Sequence, residues 1–86
     1  MKISKTTINY AKKRYVAFYL DDEGNLDFYA SDFENQECSD IQYRLEDDVF
    51  VFVKQWNKEL EDMPLYIKNE KELREVINYI SGVSQL

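Results

Sequence analysis

The sequence contains no histidine, one cysteine, one proline and two glycines in 86 residues. Without histidine, the chain lacks the commonest general base, the commonest metal ligand and every nucleophilic arrangement that pairs serine or cysteine with histidine. A phosphate-binding loop needs clustered glycines, whereas Gly24 and Gly82 stand far apart in the chain. Most hydrolase and nucleotide-dependent mechanisms are therefore excluded, and we expect no enzymatic activity and no cofactor.

The single cysteine, Cys38, cannot form an intramolecular disulfide, which excludes the secreted scaffolds that depend on such bonds. The N-terminal residues lack the features of a signal peptide, and no apolar run approaches the roughly 20 residues that span a bilayer. We therefore expect a cytoplasmic protein. With 44% hydrophobic residues the chain has enough apolar surface for a core, so residues 1–86 are expected to form a single compact domain.

Charge is distributed very unevenly along the chain. Residues 1–20 hold five bases and no acid, whereas residues 21–48 hold eleven acids and a single base, Arg44. The remainder is nearly balanced, and the net charge is −6. Because phosphate contacts need clustered Lys and Arg, this composition argues against direct binding to nucleic acid or to an anionic membrane. It indicates instead a positively charged protein partner.

The strands are predicted from β-branched residues and from the alternation of apolar and polar side chains. Three to four strands are expected, at about 2–10, 15–20, 25–30 and 41–45. Gly24 allows a tight turn between the second and third strands, which makes these two a hairpin. The polar stretch 31–40 predicts an exposed loop, and loops of this length often have a function.

Residues 49–53 are ambiguous, because their composition suits a strand while the apolar spacing from Val49 to Leu60 suits a helix. The length of the pattern favours a helix over about 47–62, with the acids just before Val49 at its N-terminus. After Pro64, Leu65 to Ile67 form a short extended segment. A second helix is predicted over about 70–81, with Asn69 as its N-cap.

Strands that precede helices are typical of an α+β fold. The sequence therefore predicts an antiparallel meander of three to four strands followed by two helices packed on one face. Under this assignment Phe50 and Val51 point away from the main apolar stripe of the first helix, and tyrosines occupy part of the other face of the sheet.

The central acids are the candidate site, because aromatic residues stand among them. Carboxylates beside flat rings match what a basic nucleic-acid-binding groove recognises. The candidate partner-binding residues are Asp21, Asp22, Glu23, Asp27, Tyr29, Asp32, Phe33, Glu34, Glu37 and Asp40. An EF-hand alignment through Gly24 places Tyr19 and Ala30 where acidic ligands are required, so no metal site is expected.

Three functions are consistent with these features of the sequence. The first is a small acidic inhibitor that blocks the basic surface of a nucleic-acid-processing enzyme, as the immunity protein of a bacterial nuclease toxin or as a phage counter-defence mimic of nucleic acid. The second is a non-enzymatic adaptor or regulatory subunit that binds a partner protein through an aromatic and apolar face. The third is an enzyme that uses carboxylates alone. The oligomeric state is not determined by the sequence.

Overall fold

The computed structural model describes residues 2–29 and 39–84. Its elements are α1 (Lys5–Lys13), β1 (Ala17–Leu20), β2 (Asn25–Tyr29), β3 (Ile41–Glu46), β4 (Val49–Gln55), β5 (Tyr66–Ile67) and α2 (Glu70–Ser84). The strands form one antiparallel meander in chain order. The α+β class with an antiparallel meander and two helices is confirmed, although the sheet has five strands instead of three or four.

The strand predicted at 2–10 is wrong, because Lys5–Lys13 forms α1. The side chains of Thr7 and Ala11 are buried, and their spacing of four residues places them on one helical face. Lys12 and Lys13 lie in the last turn, where positive charge is favoured by the helix dipole. Packing of this face against the rest of the molecule therefore outweighs the β propensity of the threonines and isoleucines.

Helix α1 ends in a Schellman motif. The N–H of Val16 donates to the carbonyl of Ala11 at 3.1 Å, and the N–H of Tyr15 donates to the carbonyl of Lys12 at 3.2 Å. Tyr15 has a φ of 58°, in the left-handed region that glycine usually occupies at this position. The motif reverses the chain directly into β1.

The helix predicted at 47–62 is also wrong, because Val49–Gln55 forms β4. Asp47 and Asp48 both have positive φ, 50° and 64°, which is the requirement of a two-residue type I′ hairpin turn. This turn pairs β4 with β3, so that Phe50 lies opposite Leu45 and is fully buried. The β-branched and aromatic composition of the segment thus outweighs its helical spacing.

The other predicted strands and the second predicted helix agree with the structure, while the loop predicted at 31–40 lies mostly outside the described residues. The expected strands at 15–20, 25–30 and 41–45 correspond to β1, β2 and β3, and the expected helix at 70–81 is α2. The extended segment before α2 supplies β5, which pairs with β4. Asn69 caps α2, since its Oδ1 accepts from the N–H of Glu72 at 2.9 Å.

The core lies between one face of the sheet, called here the inner face, and the two helices. On the inner face Phe28 pairs with Ile41, and Leu26 pairs with Tyr43. All four side chains are completely buried, as are Leu73, Ile77 and Ile80 of α2. The outer face carries the alternate residues of the strands.

Helices α1 and α2 are joined at their N-terminal ends by Glu70. Its Oε1 accepts from the backbone N–H of Ser4 at 2.6 Å and from the hydroxyl of Thr7 at 3.0 Å. The Ser4 side chain makes no capping bond of its own. A carboxylate from α2 therefore accepts the hydrogen bonds offered at the start of α1, where a negative charge is also favoured by the helix dipole.

Candidate functional site: an acidic end of the sheet

Two acidic turns lie at the same end of the sheet. In a meander, the β1–β2 and β3–β4 turns emerge on one side, and the N–H of Leu45 donates to the carbonyl of Gly24 at 2.8 Å to join them. Together they carry six carboxylates, which we call the acidic end. Its members are Asp21, Asp22, Glu23, Glu46, Asp47 and Asp48.

The first turn is built around the carboxylate of Asp21. Its Oδ1 accepts from the N–H of Glu23 and of Asn25, both at 2.9 Å, and its Oδ2 accepts from the Asn25 side chain at 3.0 Å. The backbone N–H of Asn25 chiefly, followed by its side-chain amide, holds the pKa of Asp21 below its usual value. Asp21 is thus a charged structural residue, while Asp22 and Glu23 beside it are exposed.

The second turn presents Glu46, Asp47 and Asp48, all of them exposed. Asn-Gly is the preferred pair for the two central positions of a type I′ turn, because both need positive φ. Here aspartates occupy both positions, at φ values of 50° and 64°. Aspartate tolerates this region better than most residues, but the choice brings negative charge where a neutral pair would fit the backbone better.

The candidate residues named from the sequence do not all meet at one place. Asp22 and Glu23 lie at the acidic end with Asp21, whereas Asp27 lies in the middle of β2 and accepts from the hydroxyl of Ser39 at 2.9 Å. Asp40 lies at the opposite end, where its carboxylate accepts from the Asn57 side chain at 3.3 Å.

Tyr29 is half-buried at the last position of β2. The remaining candidates, Asp32, Phe33, Glu34 and Glu37, lie outside the described residues. Of the candidate residues that the structure describes, Asp21, Asp22 and Glu23 of the first turn are therefore the ones that lie at the acidic end.

Sequence reasoning missed the second turn as part of the site. It assigned the acids from Glu46 to Asp48 to the N-terminus of a helix, a role that accounts for them without any binding function. The pair Asp47-Asp48 between an alternating strand and a β-branched run was the available signal for a hairpin.

The basic residues of α1 lie mostly at the opposite end of the molecule. Lys12 and Lys13 are exposed in the last turn of α1, and Arg14 follows them immediately before β1 begins. The guanidinium of Arg14 lies 3.4 Å from the centre of the Tyr10 ring. Because β1 runs from this basic cluster to the acidic end, the molecule is electrically polarised along its strands.

A second acidic and aromatic feature lies between β5 and α2. It is a cavity of about 340 Å³ lined by Tyr66 and Tyr79, by the acidic residues Asp62, Glu72 and Glu75, and by Pro64 and Val76. Carboxylates beside aromatic rings attract cationic groups. The sequence analysis assigned none of these residues to a site, since they lie on three separate segments.

Metal ligation and membrane insertion were both sought among the residues that the structure describes. Within 2–29 and 39–84, no group of three or more acidic, cysteine or histidine side chains is arranged to hold a metal ion. Over the same part of the chain, no helix is long and apolar enough to cross a membrane.

No family model, no curated protein and no solved structure matches this chain.

Proposed function

We propose that this protein is a non-enzymatic inhibitor that binds a basic protein surface through its acidic end. The observation that carries the proposal is the juxtaposition of the two acidic turns, held together by the bond from Leu45 to Gly24. Six carboxylates within two adjoining turns form a compact source of negative potential. Complementary charge of this kind steers a positive partner and fixes its orientation.

The partner class that fits best is an enzyme that processes nucleic acid. Such enzymes carry Lys and Arg along the groove that contacts phosphates. Carboxylates accept the same hydrogen bonds from Arg and Lys as phosphate oxygens do. A protein of 86 residues that seats its acidic end in this groove competes with the nucleic acid for it. Such an inhibitor would be the immunity protein of a nuclease toxin or a phage counter-defence protein, acting in the cytoplasm.

Binding must also avoid disturbing the fold, and the acidic end allows this. Asp22, Glu23, Glu46 and Asp47 are exposed, and their carboxylates make none of the turn-forming bonds that Asp21 makes. Their negative charge is thus available to a partner. Asp21 contributes to the potential while it holds the first turn.

The test is a pull-down from host lysate at low and high salt, followed by an activity assay on the recovered partner. Two variants neutralise the acidic end, Asp22→Asn with Glu23→Gln, and Glu46→Gln with Asp47→Asn. The matched control is Glu59→Gln with Glu61→Gln, which removes the same charge from exposed acids in the connector between β4 and β5. All three variants should keep the wild-type fold.

We expect wild type and control to capture a nucleic-acid-processing enzyme and to inhibit it at equimolar ratio. Each acidic-end variant should bind about tenfold or more weakly, and wild-type binding should weaken as salt rises. The proposal is wrong if both acidic-end variants bind and inhibit like the control, or if the recovered enzyme keeps full activity in the complex.

The adaptor function is the second candidate, favoured by aromatic side chains outside the core. Tyr19 of β1 and Tyr66 of β5 are 60% and 51% exposed on the outer face. Phe50, which the predicted helix would have left outside its apolar stripe, is instead fully buried in the core. An adaptor would therefore bind through the tyrosines, and its affinity would change little with salt.

A further inference from the structure

The strand at one margin of the sheet lacks the features that usually protect an edge. Among the described residues β1 pairs only with β2, so its other side is not bonded to a strand. The strand has no charged residue and no proline, and its side chains Tyr19 and Leu20 are 60% and 37% exposed. Natural sheets protect such edges with lysine, with proline or with a covering element. An exposed apolar edge of this kind is a template for pairing with another strand.

The ladder between β1 and β2 determines which backbone groups of β1 point outwards. The N–H of Asp21 donates to the carbonyl of Asn25 at 3.0 Å, which makes these two residues a bonded pair. Bonded pairs alternate with non-bonded pairs along an antiparallel ladder, so Tyr19 also bonds to β2. Phe18 and Leu20 therefore direct their N–H and C=O groups away from the sheet.

An apolar groove adjoins this edge, between α1 and β1. It has a volume of about 530 Å³, and we call it the edge groove. All of its lining residues except Lys12 are apolar or aromatic: Ile8, Ala11, Tyr15, Val16, Ala17, Phe18 and Tyr19. Phe18 lies on the inner face, opposite Phe28. A strand added to β1 would place an inner-face side chain beside Phe18, at the groove.

The charges on either side of β1 select the strand that pairs with it. Lys12 and Lys13 are exposed just before the strand, and Asp22 and Glu23 are exposed just after it. Two copies of β1 that run antiparallel bring the lysines of each copy beside the carboxylates of the other, at both ends of the pair. A parallel pair would bring like charges together at both ends. The edge is therefore complementary to a second copy of itself in the antiparallel direction.

We propose that two copies of this chain associate through β1 and join their sheets into one. The two-fold axis passes beside Tyr19, so that Phe18 of each copy pairs with Leu20 of the other. In this register every outward N–H and C=O group of Phe18 and Leu20 is bonded. The Leu20 side chain of one copy lies beside Phe18 of the other, at the edge groove. The two Tyr19 rings lie opposite each other on the outer face.

This association does not depend on the function proposed for the acidic end. The first acidic turn lies beside the interface, whereas the second turn, residues 46–48, lies on the far side of β2 from the axis. One surface therefore joins two copies, and the second turn remains open to a partner.

Sedimentation equilibrium of the wild-type chain over a range of concentrations is the first measurement. We expect a reversible equilibrium between monomer and dimer with a dissociation constant of about 1–100 μM, as for a small interface. The proposal is overturned if the chain stays monomeric up to about 1 mM, which would leave the edge for a strand of another protein.

Charge reversal tests which ends of the two copies meet. Lys12→Glu with Lys13→Glu, and Asp22→Lys with Glu23→Lys, should each weaken self-association about tenfold or more, because like charges then meet at both ends. A mixture of the two variants should restore association. Both variants keep a net negative charge, so overall attraction does not account for the recovery.

The matched control is Glu59→Lys with Glu61→Lys, which reverses the same charge at exposed positions away from β1. The Lys12→Glu and Lys13→Glu variant is labelled with a fluorophore, so that its own sedimentation is followed in each mixture. It should bind the Asp22→Lys and Glu23→Lys variant about tenfold more tightly than it binds the control. Equal binding to both would overturn the proposal.

Disulfide formation tests the register, in a chain whose only native cysteine is replaced by Cys38→Ser. Tyr19→Cys places two thiols in a non-bonded antiparallel pair with Cα atoms about 4.5 Å apart, which suits a disulfide. Ala17→Cys, on the same face of the same strand, places them roughly 13 Å apart along the strands. Tyr19→Cys should form a covalent dimer on oxidation, and Ala17→Cys should not. Equal yields from the two variants would overturn the proposed pairing.

Failure of this proposal is distinguishable from failure of the proposed function. Lys12→Glu with Lys13→Glu should weaken the dimer but still capture the basic partner. Glu46→Gln with Asp47→Asn should weaken capture of the partner and change the dimer dissociation constant by less than about twofold. If the second pair of substitutions disrupts the dimer as strongly as the first, the interface does not lie at β1 and the proposal is overturned.

Discussion

The backbone N–H of Leu45 donates to the carbonyl oxygen of Gly24 at 2.8 Å, and this bond places two acidic turns side by side. Neither turn alone has more than three carboxylates. The contact is close because Gly24 has no side chain, and a Cβ built there would lie 3.3 Å from the Cβ of Leu45. The acidic end thus depends on a glycine at one position in the first turn.

The two glycines are expected to respond in opposite ways to alanine. Gly24 has a φ of +89° and faces Leu45, so Gly24→Ala should lower the free energy of unfolding by about 1–2 kcal/mol. Gly82 lies in α2 with nothing within 4 Å of the added Cβ, so Gly82→Ala should raise it by about 0.5–1 kcal/mol. Urea denaturation of both variants checks this, and a loss of stability in Gly82→Ala would contradict it.

Replacing Asp47 by Asn and Asp48 by Gly should stabilise the protein. The pair Asn-Gly suits a type I′ turn, and the two aspartates have φ values of 50° and 64°. We expect the free energy of unfolding to rise by about 0.5–1.5 kcal/mol, measured by urea denaturation. If the same variant binds the basic partner less well, stability and binding have opposite requirements at this turn. A fall in stability would mean that the aspartates hold the turn themselves.

Loss of the Tyr43 hydroxyl proton should lower the free energy of unfolding at alkaline pH. The ring is completely buried, and its hydroxyl donates to the carbonyl of Pro64 at 2.6 Å. Burial raises the pKa of Tyr43 above its usual value, so the folded state holds this proton more tightly than the unfolded chain. The contribution is fully present below about pH 10 and is lost as pH rises further.

Tyr43→Phe isolates this effect. At neutral pH the variant should be less stable by about 1 kcal/mol, because the Pro64 carbonyl loses its donor. Above about pH 10 the difference should shrink, since phenylalanine has no proton to lose. Denaturation curves of both proteins between pH 7 and 11 measure the difference. A constant difference over this range would contradict the prediction.

Protonation of the Glu70 carboxylate should lower the free energy of unfolding at acid pH. The backbone N–H of Ser4 chiefly, with the Thr7 hydroxyl and the charge of Arg74, lowers the pKa of Glu70. Its contribution is therefore present above the ordinary glutamate pKa of about 4.3 and is lost as pH falls below it. Glu70→Gln should be less stable than wild type at pH 7 and approach it at low pH. Glu75→Gln, which removes the same charge from an exposed position of α2, is the matched control in urea denaturation at both pH values.

The elements that the sequence predicted correctly share clear local signals. Residues 15–20 and 25–30 alternate around a glycine turn, and α2 has both a cap at Asn69 and an apolar stripe. The elements that it missed depend on contacts between residues that are far apart in the sequence. Thr6, Thr7 and Ile8 are helical because Thr7 and Ala11 are buried and Glu70 caps the start of α1.

The error at 49–53 also changed the expected site. Helical spacing from Val49 to Leu60 was coincidental, whereas strand pairing with β3 satisfies the backbone and buries Phe50. Once the segment is a strand, Asp47 and Asp48 become a hairpin turn at the same end of the sheet as the β1–β2 turn. Sequence alone indicated that the charge was polarised, but only the register of the sheet shows which acids meet.

The bond between Glu70 and the start of α1 has a consequence for the order of folding. During synthesis Ser4 and Thr7 emerge more than 60 residues before Glu70. The hairpins of the meander connect near neighbours and can form as the chain appears, whereas α1 lacks its capping carboxylate until α2 exists. The first helix to be made is therefore among the last elements to become stable, and ribosome-bound chains that end before Glu70 should carry a frayed N-terminus beside a partly formed sheet.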